Sequence, residues 1–105
     1  MALLDDVKRH LDILSSDEQT DKKVKLIIAR AKNYLRRFNP ALNDSDFEDK
    51  ENLAYLMLLD WCRYDYSNAS EDFSLNYKDE IIQLRNQYKV KMYEVEEPEG
   101  RVSDF

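Results

Sequence analysis

Apolar residues recur along this chain at the three-and-four spacing of amphipathic helices, and the phase of that repeat resets between segments. Leu4, Val7, Leu11 and Leu14 set the first stripe, which predicts a short helix over about residues 3–14. Asp5 and Asp6 fall in its first turn, where the helix dipole favours negative charge. Ser15-Ser16-Asp17 breaks the pattern, and Ser16 with Gln19 reads as a capping box for the next helix.

The second helix, about 18–37, carries the cleanest pattern. Val24, Ile27, Ile28, Ala31, Tyr34, Leu35 and Phe38 fall within an arc of roughly 120°. Lys22, Lys23, Lys25, Arg30, Lys32, Arg36 and Arg37 take the opposite side. Asn39-Pro40 ends it, because proline disfavours helical geometry in the residue before it. A third helix is predicted to start at Asp44 or Ser45 and run over about 45–66. Its run Leu53–Leu59, extended by Trp61 and Cys62, is apolar on every face, the pattern of a central helix wrapped by others. Ser67–Ser70 makes a turn, with Ser70 a candidate cap. Phe73, Tyr77, Ile81, Leu84 and Tyr88 then mark a fourth helix, about 70–89. From Val90 to Val95 the apolar residues roughly alternate, which suggests an extended tail.

The expected fold is therefore an all-α, four-helix bundle-like single domain over residues 1–89, followed by a C-terminal arm over 90–105. Composition agrees. One Gly and two Pro leave little material for hairpin turns. At 105 residues the chain is long enough to bury a core without a metal or a disulfide. The single cysteine, Cys62, rules out an internal disulfide, fits a reducing cytosolic origin, and sits where a small core residue belongs. No basic leader precedes an apolar run, and no run reaches the roughly 20 residues of a membrane span, so a membrane role is not expected.

Charge changes the picture more. The chain carries a net −6, yet segment 21–38 holds seven basic residues and one acidic, a local +6. An acidic chain is a poor general binder of nucleic acid, so the basic face is read first as a surface for protein or intersubunit contact. The search for chemistry finds little. His10 is the sole histidine, beside charged neighbours; no His/Cys cluster offers a metal site, and the one glycine, Gly100, excludes a phosphate loop. Asp44, Asp46, Glu48, Asp49 and Glu51 sit where a helix start favours carboxylates, without a calcium-loop spacing. Asp60, inside the most apolar stretch, needs a partner: Arg63, a base of the second helix, or a neighbouring subunit. No catalytic residue, metal or cofactor is expected. The candidate contact residues are Lys22, Lys25, Lys32, Arg36, Arg37 and Asp60, with Tyr64 and Tyr66 from the aromatic cluster around the third turn.

Four stretches carry a family likeness: Leu3-Leu4-Asp5-Asp6-Val7-Lys8-Arg9-His10-Leu11, Ala31-Lys32-Asn33-Tyr34-Leu35, Arg63-Tyr64-Asp65-Tyr66-Ser67-Asn68-Ala69 and Leu84-Arg85-Asn86-Gln87-Tyr88. In their order and spacing, over about residues 3–90, the chain resembles the head–tail connector (adaptor) proteins of long-tailed bacteriophages and prophages. Ser67 departs from the family's Arg-Tyr-x-Tyr-Asn, and the tail beyond 90 matches least.

The resemblance implies a non-enzymatic virion protein at the head–tail junction, made in the bacterial cytoplasm. It implies a homo-oligomeric ring of about twelve copies, built from repeated head-to-tail contacts. That ring would dock under the portal protein, extend the DNA channel without binding DNA specifically, and receive the next head-completion or stopper protein. The tail residues Val90, Met92, Tyr93 and Val95 are the candidate portal-docking strand. Two other readings compete: a small acidic helical regulator of one protein partner, and a helical nucleic-acid binder.

Overall fold

In the computed structural model the backbone is described for residues 2–96 and the side chains for 3–89. The chain is all-α, and no strand occurs among the described residues. Where four helices were expected, the described residues form six, plus a 3-10 turn: α1 (Ala2–His10), α2 (Glu18–Arg36), α3 (Asp44–Glu48), α4 (Leu53–Tyr66), the 3-10 turn Ser70–Asp72, α5 (Phe73–Asn76) and α6 (Lys78–Glu96). The extra elements come from local hydrogen-bond chemistry rather than from the apolar pattern.

α1 stops four residues early. Asp12 takes a left-handed backbone (φ 60°), the amide of Ile13 donates to Lys8 O at 2.8 Å, and that of Asp12 donates to Arg9 O at 3.1 Å. This Schellman turn satisfies the helix's last carbonyls and leaves Leu14, expected in the buried stripe, almost fully exposed. The same turn closes α4, with Asn68 in the left-handed position and the Ala69 amide donating to Tyr64 O at 2.8 Å. The cap of α2 is Asp17, not Ser16: its Oδ1 accepts from the Thr20 amide at 2.7 Å.

The helix expected over 45–66 is two helices. Asn43 and Asp46 form a reciprocal capping box that starts α3. Asp49 then accepts from the Glu51 amide at 3.0 Å, and Asn52 from the Ala54 amide at 2.9 Å. These short side chains take amides that a continuous helix would have used, so the chain turns and restarts. The fourth expected helix is broken at Tyr77 (φ −120°, ψ 31°), and Ser70 opens the 3-10 turn with no side-chain cap bond. Beyond the break, α6 runs on to Glu96, so residues 90–96, expected as extended tail, have a helical backbone. Elongating a formed helix costs little, whereas a lone strand has no partner here. Residues 97–105 lie outside the described residues.

α4 is the central element, packed on by α1, α2, α3 and α6. Val24, Ile27, Ile28, Ala31 and Leu35 of α2 meet Ala54, Met57, Leu58, Trp61 and Cys62 of α4 in one core, closed by Phe47, Phe73, Ile81 and Leu84. The wrapping of α4 is incomplete, since Leu56 remains half exposed.

Candidate interaction surfaces

The basic face of α2 divides into two halves with different fates. Toward its C-terminal end the cations are held within the fold. Lys32 Nζ and Arg36 Nη2 lie 3.1 Å and 3.3 Å from Asp44 Oδ1, and Arg36 Nε donates to Leu42 O at 2.9 Å. Both also sit over the Phe47 ring. The hydrogen bond from Lys32, followed by its charge and then the hydrogen bond from Arg36, holds the Asp44 carboxyl below the usual carboxylate range. Arg30 pairs with Asp65 of α4, and Arg37 lies over the Tyr34 ring at 5.8 Å. At the N-terminal end, Lys22, Lys23 and Lys25 are exposed and have no carboxylate partner among the described residues. Lys23 stands 5.5 Å from the ring of Tyr66, itself 42% exposed, so Tyr66 joins the lysine end.

Asp60 has neither of its two expected internal partners. Its Oδ2 accepts from the Tyr77 hydroxyl at 2.9 Å, and its Oδ1 lies 3.3 Å from His10 Nε2, which does not meet hydrogen-bond geometry there. α1, α4 and the Tyr77 hinge thus converge on one half-buried carboxylate. Burial, then the bond to Asp60, pushes the Tyr77 hydroxyl well above its ordinary value. Tyr64 faces the same way: its hydroxyl accepts from Asn76 Nδ2 at 2.9 Å, and its ring meets Phe73 and Tyr77 edge-on. These groups hold helices together.

Cys62 is fully buried, and burial, then the negative charge of Asp65, pushes its thiol up to about 12. A thiol in that state is a poor nucleophile at neutral pH. Among the described residues no three His, Cys, Asp or Glu side chains are grouped to hold a metal, and no helix is long and apolar enough to cross a membrane.

At the other end of α2 lies a feature that sequence alone did not mark. The segment 39–53 and α6 enclose an open cleft of about 790 Å³. Asp46, Asp49 and Glu51 line one side, and Gln83, Asn86 and Gln87 the other. Its floor is braced by Asn39, 2% exposed, whose Nδ2 donates to Leu84 O at 3.2 Å and whose Oδ1 accepts from the Ala41 amide at 3.2 Å. The sequence signal was the pair Asn39-Pro40, which marks a helix end but not this bridge. Val90, Met92, Tyr93 and Val95 fall in the last turns of α6, and their side chains lie outside the described residues.

Compared with family models, curated proteins and solved structures, the chain matches none.

Proposed function

We propose that this chain is a structural subunit of a bacteriophage head–tail connector, assembling as a ring under the portal, extending the DNA channel and presenting a platform for the next connector protein. The observation that carries the reading is the order and spacing of the four family-like stretches, which fall on α1, the last turns of α2, the end of α4 and α6. Leu3–Leu11 supplies α1 and enters its Schellman turn, and Ala31–Leu35 packs the end of α2. Arg63–Ala69 closes α4 through Asn68, and Leu84–Tyr88 holds the α6 carbonyl that Asn39 grips.

The distribution of polar chemistry supports the same reading. Several half-buried polar groups tie helices to one another, and what remains outside is charge and scattered apolar side chains: Leu14, Leu26, Leu56, Tyr66, Leu75 and Ile82. Such a surface offers contact rather than catalysis. An acidic subunit lining a channel repels DNA and lets it slide.

Deleting the gene in the parent phage tests the proposal. DNA-filled heads that lack tails and lose their DNA are the expected particles. Normal tailed virions, or heads arrested before packaging, would remove the protein from the head–tail junction.

A further inference from the structure

The subunit carries two complementary charged surfaces that cannot reach each other. Lys22, Lys23 and Lys25 lie near the start of α2, and the acidic cleft adjoins Asn39, just past its end. Lys22–Lys25 lie 11 to 14 residues before the end of α2 at Arg36, about 17–21 Å at 1.5 Å per residue. We infer that the lysine edge of α2 in one subunit docks in the acidic, amide-lined cleft of the next copy. This rests on the ring reading above and names the surfaces that would make the ring.

The lysine edge is available because its neighbours are committed. Asp17 is held at the α2 cap by Ser15 and Thr20, and Asp21 pairs with Lys8 at 2.6 Å. Glu18, one turn before Lys22, offsets one of the three charges, which leaves the edge net positive. Leu26, 59% exposed and one turn after Lys22, gives the edge an apolar side chain.

The cleft offers the matching set. Glu51 and Asp49 have no cation partner among the described residues, and Asp49 accepts from the Glu51 amide. Gln83, Asn86 and Gln87 supply amide oxygens that accept from ammonium groups, and Leu53 supplies apolar surface. Lys50, between the two carboxylates in sequence, is not part of the cleft wall. The basic residues farther along α2 do not serve this contact, because Lys32 and Arg36 are bound to Asp44 and Arg30 to Asp65.

Two unlike surfaces at opposite ends of a rigid helix make a head-to-tail contact, which repeats around a ring when its rotation closes. Exposed ion pairs are individually weak and screened by salt, so free subunits associate weakly and a docking template completes the ring.

Amide NMR of the ¹⁵N-labelled chain, diluted from about 1 mM at low salt, reads the contact directly. Concentration-dependent shifts are expected at residues 22–26, 49–53 and 83–87 together, vanishing at about 1 M salt. The triple variant Lys22→Glu, Lys23→Glu, Lys25→Glu, and separately Asp49→Asn with Glu51→Lys, should each weaken association by about tenfold or more. An equimolar mixture of the two should regain it, because the second variant keeps the lysine edge and the first keeps the cleft.

Shifts confined to other surfaces, no concentration dependence, or reversals without effect would each overturn the pairing. So would duplex DNA moving the Lys22–Lys25 resonances more than a second copy does. Loss of portal docking in the wild-type chain would instead count against the connector reading, which these spectra do not measure.

Discussion

Asn39 Nδ2 donates to the backbone carbonyl of Leu84 at 3.2 Å, joining the loop after α2 to the middle of α6 across 45 positions of sequence. It is the buried polar residue among the described side chains, and its Oδ1 accepts from the Ala41 amide, so both ends of the group are used. A buried amide left without partners costs more than the net worth of its bonds, which makes the position sensitive. Asn39→Ala should lower stability by about 1–3 kcal/mol. Asn39→Asp should cost more at pH 7, because a carboxylate then faces the Leu84 carbonyl, and should recover toward pH 3 as it takes up a proton. Urea unfolding at both pH values checks the order; equal losses at the two pH values would contradict it.

Asp60 and Tyr77 make a second joint. Tyr77→Phe removes one hydrogen bond while keeping the ring stacked on Phe73 at 4.3 Å. The expected loss is about 0.5–1.5 kcal/mol, and the double-mutant cycle with Asp60→Ala should give a coupling of the same order. Additive losses would mean that the two side chains do not depend on each other.

Alkali should unfold this protein from a predictable starting point. The Cys62 thiol titrates at about 12 in the folded chain against an ordinary 9.0, so above pH 9 the unfolded chain binds fewer protons than the folded one. Stability is therefore full below pH 9 and falls as pH rises from 9 toward 12. Tyr55 and Tyr77, also raised by burial and by bonds to Asp6 and Asp60, act in the same direction from pH 10 upward. In Cys62→Ala the decline should begin nearer pH 10. An unchanged onset in that variant would reject the assignment. Thiol labelling at pH 8 should likewise be slow in buffer and fast in denaturant.

Leu58, with no exposed surface, lies in the core that α4 shares with α2. Leu58→Ala should cost about 2–5 kcal/mol, while Leu56→Ala, two residues earlier on the opposite side of the helix and half exposed, should cost well under half of that. Thermal unfolding of the two variants separates them, and similar losses would contradict the orientation of α4.

The apolar repeat made the helical class legible, including the buried faces of α2 and α4, because burial follows periodicity. What it could not reveal were breaks made by single polar side chains. Asp12 ends α1 by adopting a left-handed backbone, and Asp49 with Asn52 interrupts a stretch whose apolar spacing runs on, whereas the turn at Ser67–Ser70, where Asn68 takes the same backbone, was legible from its polar residues. Such residues are tolerated inside a helix and favoured at its ends, so the decision rests with tertiary packing. The contact surfaces were half legible. The basic face was visible as a cluster, but its division into cations bound within the fold and free lysines depends on Asp44 and Asp65, which approach only after folding. Asp60 signalled a need for a partner, and Tyr77 answers it from the break between α5 and α6.

The proposal that this helical chain docks on a portal as one of many copies is tested most directly by stoichiometry. Native mass spectrometry of the purified chain mixed with the portal protein encoded beside it should, on this proposal, show the portal carrying a full circle of copies, with partly loaded rings scarce. A portal that takes up none, or a single copy, would contradict the account.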